Sequence, residues 1–345
     1  MLILAIESSC DETSVAVIKE SKVLSNVIST QLFHKKYGGV VPELASRAHL
    51  ESIISILDES LKEAGCSISE IDAIAVTSMP GLVGSLIVGS NFAKGLSIKY
   101  GKPVVPVNHI EGHLFSGCLE DSSLQFPFIS LVVSGGHTAL FYVESYIKYS
   151  LIGSTIDDAA GESFDKVASL LGLPYPGGPE IDKLSQSGKA EAYNFPRPML
   201  QKEDDFNFSF SGLKTSVRYF LKNEFPNGIP ENLKPDLSAS FQEAVVDVLV
   251  RKALNAVNKY KTKNLIVAGG VSANTRLRKK MSDTAKTAGI KLVIPQLDYC
   301  MDNAAMIGFL AEKKISFHGL AVFDKLDFTV SPNALRAAKK IKNIN

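Results

Sequence analysis

The chain has 345 residues, 45% of them hydrophobic, enough for two lobes that each bury a core of their own. A formal net charge of +1 excludes a global basic field, so any nucleic-acid site must be a local patch. Four cysteines (Cys10, Cys66, Cys118 and Cys300) show no paired spacing and read as free thiols, and no apolar run reaches membrane-spanning length.

Residues 2–6 form an apolar strand rather than a leader peptide, so a soluble cytoplasmic protein is expected. A polar turn, Glu7-Ser8-Ser9-Cys10-Asp11-Glu12-Thr13, leads to a return strand over residues 14–18. Residues 72–77 read as a strand entering the small-residue turn Ser78-Met79-Pro80-Gly81-Leu82-Val83-Gly84-Ser85 and then a helix. Next comes Asn108-His109-Ile110-Glu111-Gly112-His113. Histidines four residues apart lie about 40° apart on a helix, so both rings point one way, as two nitrogen ligands of one metal do. Glu111 lies on the opposite face, about 200° from His109, which disfavours a zinc peptidase. Two helix histidines without a metal are the plain alternative.

Residues 128–133, the turn Ser134-Gly135-Gly136-His137-Thr138 and residues 139–143 repeat the opening strand-turn-strand unit, which predicts an internal duplication. An acidic helix is expected over residues 156–168, with Asp157 or Asp158 as its cap and Asp158, Glu162 and Asp165 on one face. A solvated face opposite Phe164, Val167, Ala168 and Leu171 explains those charges equally simply. Pro174-Tyr175-Pro176-Gly177-Gly178-Pro179 reads as a stiff exposed loop ending in Glu180 and Asp182, carboxylates that suit ribose hydroxyls. Residues 264–268 form a buried strand that runs into Gly269-Gly270-Val271-Ser272-Ala273-Asn274 and a basic helix. Strands alternating with helices argue for an α/β architecture with sheets covered on both faces. The four small-residue turns suit anion binding through backbone amides, although glycine is also the default residue of tight turns. None is a Walker loop or a dinucleotide fingerprint.

These motifs together resemble the bacterial TsaD family of tRNA N6-adenosine threonylcarbamoyltransferases, from Ile3 to about Asn303. The markers are the 7–13 turn, Tyr37-Gly38-Gly39-Val40-Val41-Pro42-Glu43-Leu44-Ala45-Ser46-Arg47, the histidine pair and Val133-Ser134-Gly135-Gly136-His137-Thr138. Residues 157–166, Pro176-Gly177-Gly178, Phe208-Ser209-Phe210-Ser211-Gly212-Leu213-Lys214-Thr215 and residues 268–274 complete the set. The resemblance implies a duplicated actin-like α/β fold of two lobes with a cleft, residues 1–107 completed by 301–345, and residues 108–300. It implies transfer of threonylcarbamoyl from threonylcarbamoyl-adenylate to N6 of the adenosine 3′ of the anticodon, in tRNAs reading codons that begin with A, with release of AMP. It places one divalent metal, iron(II) favoured and zinc(II) possible, on His109, His113 and Asp302. The adenylate falls against Val132, Val133, Ser134, Gly135, Gly136, Asp165, Gly178, Asp182 and Asn274. Relatives usually carry threonine where this chain has Met301, so a hydroxyl beside Asp302 is lost.

For the chemistry, Glu12 beside Asp11 is a candidate base, and His137 a candidate base or phosphate contact; a turn cap and a backbone-bonded histidine are the plain alternatives. Arg276-Leu277-Arg278-Lys279-Lys280, Lys35-Lys36 and a tail face of Arg336, Lys339, Lys340 and Lys342 are candidate tRNA patches, against solvated lysines as the simpler account. The resemblance also implies two partners, a paralogous actin-like subunit (TsaB) and a small ATPase (TsaE). Leu82, Val83, Leu86, Ile87 and Phe92 suit such packing, or intramolecular burial. The rival activities are an ATP-dependent kinase or chaperone-like ATPase of the same fold, and a metallopeptidase.

Overall fold

The opening apolar run becomes strand β1 (Leu2–Glu7), apolar at consecutive positions because both of its faces are covered. It pairs antiparallel with β2 (Glu12–Lys19), which pairs antiparallel with β3 (Lys22–Thr30). After α1 (Pro42–Ala64) comes β4 (Ala73–Met79), and after α2 (Val83–Tyr100) comes β5 (Val104–Asn108); both extend the sheet in parallel. The order is β3-β2-β1-β4-β5. Two short helices follow, α3 (His109–Phe115) and α4 (Gly117–Glu120).

The second sheet repeats the first. Strands β6 (Phe128–Val133), β7 (Thr138–Ser145) and β8 (Lys148–Ser154) form an antiparallel meander. Helices α5 (Ala160–Leu170), α6 (Gly177–Ser185), α7 (Ser211–Glu224) and α8 (Lys234–Tyr260) precede β9 (Asn264–Ala268), and α9 (Thr275–Thr287) precedes β10 (Lys291–Val293). The parallel pairs β6–β9 and β9–β10 give the order β8-β7-β6-β9-β10, the same topology as the first sheet. The duplication expected from the two strand-turn-strand units is thus present in the strand order. Phe164, Ile181, Leu213, Phe241 and Leu277 bring all five helices α5–α9 into one core with Leu131, Val133 and Val267. After α10 (Leu297–Cys300) comes α11 (Ala304–His318), followed by a 3-10 turn at Leu320–Phe323 and an extended segment whose Ser331 N–H donates to the Ser78 carbonyl.

In the first sheet, Leu4, Ile6, Val15 and Val17 share a core with Ile53 of α1 and Ala93 of α2. The alternate residues Ala5 and Ile18 face α11, where a Cβ on Gly308 would stand 2.6 Å from Ile18 and 3.0 Å from Ala5. Only glycine lets this helix lie so close to the strands.

This computed structural model describes residues 1–333, so the basic tail of Arg336, Lys339, Lys340 and Lys342 lies outside the described residues. The chain divides into one unit of Met1–Glu120 with the segment from Met301 onward, and another of Asp121–Cys300. The division falls at 120/121 instead of 107/108, because α3 packs on α11: a Cβ on Gly112 would meet Ile307 at 3.0 Å and Met306 at 3.1 Å. His109, His113 and Asp302 therefore belong to one unit.

Two local expectations need correction. The acidic helix begins at Ala160, not near Ile156, since Ile156 N–H donates to the Phe208 carbonyl and Phe208 N–H to that of Ser154, which holds the segment extended. Neither Asp157 nor Asp158 caps it. Asp158 pairs with Lys166 and Lys214, while Asp157 accepts from Ser209 Oγ, Phe210 N–H, and the N–H and Oγ of Ser211, tying down the start of α7. Likewise Gly177 opens α6, so Glu180 and Asp182 are helical and not in a loop.

Asp157→Ala should cost about 1 kcal/mol, the usual worth of such a cap. Burial works to raise the Asp157 carboxyl, but its four donors outweigh it and hold the group below 3.8. A depressed folded value contributes stability above the unfolded pKa and loses it as pH falls through the folded one. Urea midpoints of wild type and variant should therefore differ at pH 7 and converge in acid.

Candidate functional site

Asn108 ends β5 and caps α3, its Oδ1 accepting from Ile110 N–H at 2.8 Å and Glu111 N–H at 3.3 Å. This cap fixes where the helix starts and so where its histidines point. His109 and His113 share one face, with ring centroids 4.7 Å apart and planes near perpendicular, and both are buried. Asp302 stands just before Asn303, the cap of α11, whose Oδ1 accepts from Met306 N–H at 3.0 Å. Ala304 N–H donates to Ser14 Oγ at 2.9 Å, anchoring this start on β2. The result is that Nε2 of His113 and Nε2 of His109 converge on Asp302 Oδ1, at 3.1 Å and 3.4 Å. Glu111 points elsewhere and pairs with Lys314 of α11 at 2.6 Å, so no glutamate of α3 serves as a peptidase base.

These groups suit a divalent metal. Their ligand atoms all lie within 4.8 Å of one another. Bonds of about 2.0–2.1 Å put neighbouring ligand atoms roughly 3.0–3.4 Å apart in octahedral or tetrahedral sites, which is the spacing of each nitrogen from Oδ1. Buried Nδ1 of His113 has no hydrogen-bond partner, an orphan of the kind found at functional positions. Burial alone would lower the His109 pKa, but Asp302 and Glu7 outweigh it and hold the ring well above its ordinary value. Asp302 is held well below its own despite burial, chiefly by His109, while burial keeps His113 low. The carboxylates of Asp302 and Glu7 thus already hold a positive charge here, on the His109 ring.

Glu12 opens β2 and is buried in the same unit. Burial, with Asp302 and Asp11 adding like charge, pushes its carboxyl up to about 9. Such a group is protonated at neutral pH and becomes a base only when positive charge comes beside it. Glu7 and Thr77 also belong here, for Glu7 Oε2 accepts from Thr77 Oγ at 2.5 Å and lies 3.0 Å from His109 Nδ1. The sequence carries one sign of this, an acidic residue ending a strand that is otherwise wholly apolar.

In the other unit, Val132 and Val133 are buried in β6, and the turn after them is closed by Ser134 N–H to the His137 carbonyl (2.8 Å) and His137 N–H to Ser134 Oγ (3.2 Å). Gly135 and Gly136 are exposed, and a Cβ on either meets nothing within 4 Å. Beneath the turn lies the start of α5, where a Cβ on Gly161 would come within 2.7 Å of Gly135 Cα; this helix has no side-chain cap. Gly269 backs the same turn from the end of β9, its own missing Cβ 2.5 Å from the Val133 carbonyl oxygen. Asp165 accepts from Gly177 N–H at 2.7 Å, which brings it to Gly178 at the start of α6. Asp182 accepts from Thr275 N–H (3.1 Å) and Thr275 Oγ (2.9 Å), while Asn274 caps α9 and donates to Gln242 (2.6 Å). The structure thus gathers these residues around three helix starts, with Asp165, Asp182 and Asn274 each engaged by protein donors or acceptors.

The basic run of α9 is mostly engaged within the fold. Arg276 and Lys280 pair with Glu243 of α8, Lys280 also with Asp247, and Arg278 donates to the Pro295 carbonyl and Cys300 Sγ. Lys279 of this run is exposed, as are Lys35 and Lys36.

A model of the family described as TsaD, tRNA N6-adenosine threonylcarbamoyltransferase, matches residues 22–309. The chain belongs to the TsaD family. A Kosmotoga olearia protein named tRNA N6-adenosine threonylcarbamoyltransferase is 50% identical over 333 residues, 96% of this chain and 98% of that protein. One of that name from Staphylococcus haemolyticus is 53% identical over 312 residues, 90% of each chain. Membership makes the chain an acyltransferase that modifies tRNA. Among solved structures, full-length HypF in its phosphate- and nucleotide-bound form superposes with a TM-score of 0.66 at 15% identity, covering 92% of this chain and 47% of that one. The Acidaminococcus fermentans (R)-2-hydroxyglutaryl-CoA dehydratase component A gives 0.54 at 13% identity, over 92% and 99%. These likenesses show that the TsaD chain has the actin-like fold. No helix among the described residues is long and apolar enough to cross a membrane, and none of the four cysteines is in a disulfide.

Proposed function

We propose that the chain carries the threonylcarbamoyl group from threonylcarbamoyl-adenylate to N6 of the adenosine 3′ of the anticodon, in tRNAs that read codons beginning with A, and releases AMP. The observation that carries this reading is the His109–His113–Asp302 cluster, with both histidines buried, in a chain of the TsaD family. Two nitrogens and one carboxylate leave positions open, as working sites do, and suit iron(II) or zinc(II). Bound there, the ion supplies positive charge to an oxygen of the mixed anhydride.

The chain's own residues do the rest. Exposed amides of Gly135 and Gly136, above the uncapped start of α5, offer hydrogen bonds and a helix dipole to the phosphate of the departing AMP. Asp165, Gly178, Asp182 and Asn274 hold the starts of α6 and α9 where the nucleoside binds, and each carboxylate oxygen keeps a lone pair for a ribose hydroxyl. Glu12 takes the proton lost by the attacking amine once positive charge lowers its pKa. His137 supports the phosphate turn through its backbone.

The reaction belongs in the cytoplasm, with tRNA. Val83 and Ile87 of α2, together with Leu50 and Ile54 of α1, are exposed apolar side chains suited to the paralogous actin-like subunit, while Leu86 is buried within the fold. A small ATPase resets the complex between cycles.

The test is a single turnover. Full-length protein with its partners, given preformed threonylcarbamoyl-adenylate and tRNA but no ATP, should yield one equivalent of modified tRNA and one of AMP. A strict need for ATP hydrolysis in that first turnover, or release of ADP, would overturn acyl transfer from the adenylate.

A further inference from the structure

We infer that Glu7, locked by Thr77 and the Ser9 amide, is the positioning residue that sets which nitrogen of His109 faces the metal. The inference rests on the metal reading given under Proposed function and names the group that tunes that site. Three neighbouring strand ends build it: Glu7 closes β1, Thr77 lies in β4, and His109 follows β5. Glu7 is fully buried, and a carboxylate so placed is costly unless every oxygen is bonded.

Its bonds leave little freedom. Oε1 accepts from Ser9 N–H at 2.6 Å, and Oε2 accepts from Thr77 Oγ at 2.5 Å. With both oxygens accepting, the carboxylate is kept ionised, so the proton in its 3.0 Å contact with His109 must sit on Nδ1. When a metal ion takes the place of the ring's other proton, Nδ1–H is kept and the ligand lone pair is on Nε2, the nitrogen turned toward Asp302. Ser9 Oγ, 3.2 Å from Nδ1, adds a second contact to the same edge of the ring. A carboxylate behind a metal-bound imidazole fixes its orientation and makes it a stronger ligand, and losing such a partner typically weakens metal affinity by about 10–100-fold. His113 has no such support, since its own Nδ1 is without a partner. The two rings are therefore unequal, with His109 the orientationally fixed ligand.

The probe is cobalt(II), titrated into metal-free full-length protein and followed by its visible ligand-field absorption. Wild type should bind one equivalent, and His109→Ala should abolish the signal. Glu7→Gln is nearly isosteric, but its amide can donate to Nδ1 and so drive the proton onto Nε2. Affinity should fall by about 10–100-fold, with far-ultraviolet circular dichroism unchanged. No cobalt binding by wild type would remove the metal reading and this inference with it. Tight binding by wild type, none by His109→Ala and undiminished binding by Glu7→Gln would overturn the role of Glu7 while leaving the metal reading intact. Should Glu7→Gln fail to fold, Thr77→Val replaces it. In the zinc-loaded wild type the His109 Nδ1 proton should give a slowly exchanging downfield imidazole resonance. Thr77→Val should shift it and speed its exchange, and an unchanged resonance would count against the inference.

Discussion

His113→Ala should leave the purified protein without stoichiometric metal and slow threonylcarbamoyl transfer by more than about 100-fold, the upper range seen when only a supporting contact to a metal ligand is lost. The direction follows from the geometry. His113 Nε2 stands 3.1 Å from Asp302 Oδ1 and is one of the three candidate ligands among the described residues, so its removal leaves one nitrogen and one carboxylate of that cluster. The side chain is wholly buried, and alanine also leaves a cavity. Metal content by elemental analysis, read beside a thermal melt, separates the two effects. A folded variant that has lost its metal and its rate fits a catalytic ion. A variant that keeps the wild-type rate would sink metal assistance altogether.

The second large effect is expected in the other unit, at Gly269. Gly269 has φ 89° and ψ 160°, a region that is nearly glycine's alone, and its missing Cβ would stand 2.5 Å from the Val133 carbonyl oxygen and 2.8 Å from its carbon. Neither neighbour can yield, because Val133 is a paired residue of a central strand. Backbone strain of about 1–3 kcal/mol and overpacking of similar size give about 2–6 kcal/mol for Gly269→Ala. An unfolding free energy lowered by less than about 1 kcal/mol in denaturant titration would show that the turn yields more easily than its contacts imply. The same substitution displaces the 134–137 turn, so nucleotide affinity should fall with stability.

What could be read in the sequence was local. The two hairpins were legible because each is an apolar run, a small-residue turn and a second apolar run within about twenty residues, a scale on which the strand period suffices. The histidine pair was legible because its spacing is one helical turn, and α3 is helical from His109 onward. Its third member was not: Asp302 lies 189 residues from His113, and only the family resemblance linked them. Distance in sequence explains the errors too. Asp157 looked like a cap for the nearest helix, but its donors are Ser209, Phe210 and Ser211, brought in by the bridge between Thr155 and Phe208. The arginines and lysines of α9 looked free for nucleic acid because Glu243 and Asp247 sit on another helix, more than thirty residues upstream. Glu7 was in plain view, but its meaning depends on Thr77 and His109, which arrive on separate strands.

The first unit is discontinuous, and this sets an order on its synthesis. When a ribosome has made residues 1–120, the first sheet can pair all five of its strands, but the side of it bearing Ala5 and Ile18 still lacks α11. Residues 121–300 emerge next as an uninterrupted unit with a core of their own, free to fold while the first waits. Only the segment after residue 300 delivers Gly308 to that waiting surface, and with it Asp302 to the two histidines. A nascent chain that stops short of residue 302 therefore holds the two imidazoles without their carboxylate neighbour, so this cluster forms only after the whole 121–300 unit has been made.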